Sequence, residues 1–147
     1  EIWAYVYLWP RGTLTHGRDL YWSVVLTFGV LWGLSEGLLF LSVYVAASQF
    51  IASRFLVWLV SFLVIGTFIG LWHQFYWDIY VAPEHNIPEW NAKKVLFGHM
   101  PNLLITLAYL TLYESAGIFV LCQAFALIAS TYFMRFPPFW GKTLAEN

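Results

Sequence analysis

Apolar residues run through the chain in four long stretches separated by short polar ones. Tyr21 to Ser53 carries a single charge, Glu36. Phe55 to Trp77 carries no formal charge and one histidine, His73. Val95 to Tyr113 contains His99 and Pro101, and Ala116 to Met134 carries no formal charge and one cysteine, Cys122. A hydrocarbon core of ~30 Å takes about 20 apolar residues as a helix. The pattern therefore predicts an all-α integral membrane protein. It would form a single transmembrane domain over 1–147, a bundle of about four helices near 21–53, 55–77, 95–113 and 116–134. The first stretch is too long for a straight crossing and is expected to tilt or to end at the interface. Only Glu114-Ser115 separates the last two, which makes them a tight helical hairpin. Ile2 to Pro10 is apolar but too short to span. It lacks the basic start and small-residue cleavage site of a signal peptide, so an interfacial segment or the tail of a further helix is expected there.

Composition excludes the main soluble classes. Hydrophobic residues make up 61% of the chain, aromatics 21% and charged residues only 10%. Ordinary soluble domains are about 25% charged, and disordered segments need low hydrophobicity and high charge. A formal net charge of −1 gives no surface for nucleic acid. One cysteine, Cys122, supports neither a disulfide framework nor a thiolate zinc site. In a uniformly apolar helix it reads as packing. The expected surroundings are the lipid bilayer, with other membrane-protein subunits as partners.

The basic residues give an expected topology. With four crossings, Arg11, Arg18, Lys93, Lys94, Arg135 and Lys142 fall on one side and Arg54 on the other. The positive-inside rule makes the first side cytoplasmic, with both termini there, in the plasma membrane. Trp72, Tyr76, Trp77, Tyr80 and Trp90 near that side form an aromatic belt.

Ionisable groups within apolar spans are costly and need a reason. Glu36 lies near the middle of the first helix, with Gly33 three residues before it and Gly37 directly after it. The small residues let a neighbouring helix approach. Glu36 is expected as a carboxyl hydrogen-bonded across an interface, a proton relay or metal ligand, or a contact with another subunit. The richest segment runs from Trp72 to Asn102 and holds His73, His85 and His99, with Asp78, Glu84 and Glu89. Read from the expected helix ends, His73 and His99 each lie four residues inside the inner boundary, roughly 6 Å deep. Two imidazoles on adjacent helices would then share one level. Imidazole with carboxylate suits copper, iron or zinc, so His73, Asp78, His85 and His99 are the candidate metal ligands.

Trp72-His73-Gln74, Asp78 and Pro83-Glu84-His85 resemble the metal-site region of the C subunit of the copper membrane monooxygenases, which oxidise methane, ammonia or short hydrocarbons. The resemblance spans about Trp72 to His85. It implies copper as cofactor, His73 and His85 as its first and second histidines, and a monooxygenase complex as partner. Eleven residues rather than twelve separate the two histidines, and Ile69 stands where the family has its aspartate, leaving Asp78 as the candidate for that role. Glu36, His73, His99 and Asn102 also follow the order used by intramembrane CAAX-type proteases, without that family's paired glutamates or following arginine. Three functional expectations result. The chain is a metal-bearing subunit of a membrane oxidoreductase, a non-catalytic accessory subunit, or a pigment- or haem-binding subunit.

Overall fold

The computed structural model describes residues 3–8, 19–75 and 88–135. They are helical apart from short connections, with no strand among them. Four helices are long and apolar enough to cross a membrane. They are α1 (Trp22–Phe50), α2 (Arg54–Phe75), α3 (Pro88–Tyr113) and α4 (Ala116–Met134). A short π-helical turn, Ala4–Leu8, packs against α4 and the start of α3.

The helices neighbour one another in the cyclic order α1, α2, α3, α4, with α1 against α4 the most extensive contact. Small residues make that contact possible. A Cβ on Gly33 would stand 2.8 Å from the Ala124 Cα, and one on Gly37 3.0 Å from the Val120 carbonyl oxygen. Gly29, one turn earlier, would meet Thr131 Oγ1 at 2.7 Å. Glycines at every fourth position lie on one helix face and admit the backbone of α4, as small residues do between helices in lipid. The close approach expected beside Glu36 is therefore made by α4 of the same chain. Phe40, Ile65, Ile69, Leu103, Leu107 and Phe119 fill the centre of the bundle.

The outer surface is strongly apolar. Leu112 is 70% exposed, Ile105 64% and Leu63 56%. Soluble monomers seldom show contiguous apolar patches beyond a few hundred Å². Hydrophobicity extends around α2 with little amphipathic bias, the pattern of a helix with apolar surroundings on all sides.

Three boundaries differ from the sequence expectation. α1 stops at Phe50, because Ile51 turns to extended backbone with φ −119°. The described part of α2 ends at Phe75, and Trp77 lies outside the described residues. The third helix starts not at Val95 but at Pro88. Proline is tolerated in a first helical turn, where its missing N–H would be unpaired anyway, and Glu89 pairs with Lys93 at 2.5 Å one turn on. α4 spans the expected residues, and the Glu114-Ser115 corner is made by Glu114 in the left-handed region, φ 54°. At that corner Arg54 donates to the Glu114 carboxylate, tying the α1–α2 connection to the α3–α4 hairpin.

Candidate functional site

His73 stands in the last turn of α2 and His99 closes a π-helical stretch of α3, Val95–His99. Their ring centroids are 4.1 Å apart, with planes inclined at 35°. Both side chains are half-buried. Because α3 begins at Pro88, His99 lies about three turns into its helix, deeper than the four residues expected. The two rings nevertheless meet. Wide turns of this kind occur mostly as single-turn insertions and are frequent at functional sites.

Lys94, immediately before the wide turn, corrects a sequence expectation. The sequence pattern places it in a loop on one membrane face, yet it is helical and 1% exposed inside the bundle. Its ammonium meets no hydrogen-bond acceptor among the described residues. It lies within electrostatic range of both His73 and His99. Its neighbour Lys93 faces outward, where it pairs with Glu89 and sits 4.5 Å from the Trp90 ring.

A cavity of about 260 Å³ opens beside the imidazole pair. His73, Gln74 and Asn91 give it polar walls, and Gly70, Leu96 and Met100 apolar ones. Met100 follows His99 directly in sequence, and its thioether is a soft metal ligand of the kind copper(I) accepts. Lys94, Asn91 and Met100 were all missed in sequence. Only the proximity of Met100 to His99 offered a signal.

A polar trio lies deeper on the same side of α3. Asn102 donates to Gln123 Oε1 at 3.5 Å, and Gln123 Nε2 donates to Thr106 Oγ1 at 2.9 Å. Glu36 is not part of the histidine pair. Its neighbours one turn away, Trp32 and Phe40, contact Trp72 and Phe68 of α2. That spacing puts Glu36 on the aromatic α1–α2 face, about 6 Å along α1 from Trp32. It makes no hydrogen bond or ion pair among the described residues. Cys122 lines an apolar groove with Val30, Leu34, Leu121 and Phe125.

The other expected ligands, Asp78 and His85, lie outside the described residues. Among the described residues no three histidine, cysteine or acidic side chains gather at one point. The donor set for a metal among the described residues is thus His73 and His99; the Met100 sulfur packs against Gly66, about two turns along α2 from His73. Two imidazoles on one ion, at about 2.0–2.1 Å and a tetrahedral angle, have centroids about 5 Å apart. The pair would need to open by about 1 Å. A porphyrin has no room between rings 4.1 Å apart, so a bis-histidine haem does not fit this pair.

No family model, curated protein or solved structure matches this chain.

Proposed function

We propose that this chain is an integral membrane protein with four crossings that serves as a small subunit of a membrane oxidoreductase of the copper-monooxygenase type. The observation that carries the proposal is the contact of the His73 and His99 rings at 4.1 Å, from two different helices, beside a mostly apolar cavity that His73, Gln74 and Asn91 help to line. Neutral imidazole is a ligand that suits copper. In this reading His73 and His99 hold the metal, with Asp78 and His85 as further ligands by resemblance. Bound copper would supply dioxygen activation for a hydroxylation.

Topology follows from charge. With Lys94 removed from the count, Arg11, Arg18, Lys93, Arg135 and Lys142 still stand against Arg54. This supports cytoplasmic termini in the plasma membrane.

The test is metal analysis of the purified full chain beside its His73→Ala and His99→Ala variants, with identification of copurifying proteins. Copper that falls in both variants, together with larger monooxygenase subunits, supports the proposal. Copper content unchanged by either substitution overturns it.

A non-catalytic bracing role is the second reading, and the exposed apolar face of α2 favours it. Leu56, Val60, Leu63, Val64 and Leu71 recur at helical spacing on that face. If the purified chain is a stable monomer in detergent, that reading loses its support.

A further inference from the structure

We infer that the outer seam between α1 and α2 around Glu36 docks a membrane helix of another subunit, one that carries a lysine or arginine at mid-bilayer to pair with the Glu36 carboxylate. The inference rests on the subunit part of the proposed function and is independent of copper.

Glu36 stands at the centre of α1, Trp22–Phe50, fourteen residues from either end. That is about 21 Å of helix on each side. Lipid headgroups and interfacial water lie beyond a hydrocarbon core of ~30 Å, so they do not serve an acid at this depth. A charge there is costly unless it is paired. The other described acids are each accommodated. Glu89 pairs with Lys93 and Glu114 with Arg54, both near helix ends, and Asp19 is exposed just before α1. Glu36 has no hydrogen bond, ion pair or charged neighbour among the described residues. The remaining lysines and arginines, Arg11, Arg18 and Lys142, come before α1 or after α4 in the sequence, and none lies between Phe75 and Pro88.

The carboxyl is within reach of a neighbouring chain. Glu36 is half-buried, and its oxygens keep contact with the outside of the bundle. Trp32 and Leu39, four residues before it and three after, share its helix face and are 38% and 49% exposed. Phe68 across the seam on α2 is 40% exposed. Trp32 and Phe40 touch Trp72 and Phe68 there. The seam is thus an apolar, aromatic strip with one acid in it. The glycine face of α1 is taken by α4, which leaves Glu36 on a side that α4 does not cover.

Charge complementarity selects the occupant, because ionisable side chains within membranes pair with one another. A second copy of this chain brings no suitable cation among the described residues. Arg54 and Lys93 are engaged by acids near helix ends, Arg135 follows α4 beside the Tyr132 ring, and Lys94 is 1% exposed inside the bundle. A two-fold contact over the seam would set Glu36 against Glu36. The cation therefore comes from a different chain.

The test uses the full chain in its native membranes, then purified with its copurifying chains in maltoside detergent, with chelator present throughout. Dicyclohexylcarbodiimide is the probe. It adds to a free carboxylic acid in apolar surroundings as an N-acylurea, and a carboxylate held by a cation is protected. Peptide mass spectrometry should find Glu36 protected in membranes and in the assembled complex, with labelling about tenfold or more higher once the chains are separated. Glu36→Gln leaves the partner's cation unpaired and should cut recovery of that partner by about tenfold or more. Replacing the partner's lysine or arginine by methionine should then restore it. Equal labelling before and after separation overturns the inference. So does protection in a species made of two copies of this chain, or a partner with no lysine or arginine in its spans. A chain that purifies alone overturns it together with the subunit reading, whereas retained partners with Glu36 labelled throughout overturn it alone. The wild-type labelling decides the matter should Glu36→Gln fail to fold.

Discussion

His73 and His99 meet across the α2–α3 interface with ring centroids 4.1 Å apart. Neither helix alone makes the pair, so the site depends on how the two helices pack. Met100, next to His99, takes part in that packing, since its Sδ would lie 3.2 Å from a Cβ placed on Gly66 of α2. The α2–α3 contact therefore runs from the histidine pair along α2 to Gly66.

The α1–α4 contact gives the first prediction. Gly33→Ala would bring a methyl to 2.8 Å from the Ala124 Cα, which is backbone and cannot swing aside. Overpacking of this kind costs about 1–3 kcal/mol. Gly117→Ala meets nothing within 4 Å and should be neutral or stabilising by up to about 1 kcal/mol, because alanine loses less entropy in a helix. Thermal unfolding in detergent of the two variants checks the contrast. Equal behaviour would show that α1 and α4 do not meet at Gly33.

Gln123 and Thr106 supply the second. Both are buried, and Gln123 Nε2 donates to Thr106 Oγ1 at 2.9 Å. Side-chain hydrogen bonds between membrane helices average about 0.6 kcal/mol, with a maximum near 1.7. A double-mutant cycle of Gln123→Leu and Thr106→Val should return a favourable coupling in that range. A coupling of zero would mean that α3 and α4 are not joined there.

At the α3–α4 corner two small terms oppose each other. Glu114 holds φ 54°, a conformation that costs a non-glycine residue about 1–2 kcal/mol. Its bridge to Arg54 is exposed, at 70% and 69% for the two side chains, and such pairs are worth about 0–1 kcal/mol. Glu114→Gly should therefore leave the melting temperature unchanged or raise it, while Glu114→Val should lower it. A clear loss of stability in Glu114→Gly would assign the bridge more weight than its exposure allows.

Much of the fold was legible because few arrangements satisfy so little charge. Four apolar stretches of spanning length were plain, and α4 keeps its expected limits, Ala116–Met134. Its flanks are marked by the polar corner at Glu114-Ser115 and by Arg135, at φ 52°. The start of α3 was misread because Pro88, Glu89 and two lysines look like a loop. Proline at a helix start and an i,i+4 ion pair make them a first turn instead. Lys93 and Lys94 are adjacent and chemically identical in sequence. One has a 40% exposed side chain and the other is buried, a difference set by helix phase and by the wide turn after Lys94. No local residue signals that turn. The histidine pairing was foreseen from an assumed common depth. The structure places His99 deeper in its own helix and still brings the rings together.

Electron paramagnetic resonance of the purified full chain loaded with an equivalent of copper(II) tests the central claim most directly. The account predicts nitrogen hyperfine structure from at least two imidazoles in the wild type, with one nitrogen lost in His73→Ala and one in His99→Ala. A wild-type spectrum of solvated copper, or a nitrogen pattern that both substitutions leave unchanged, would contradict it.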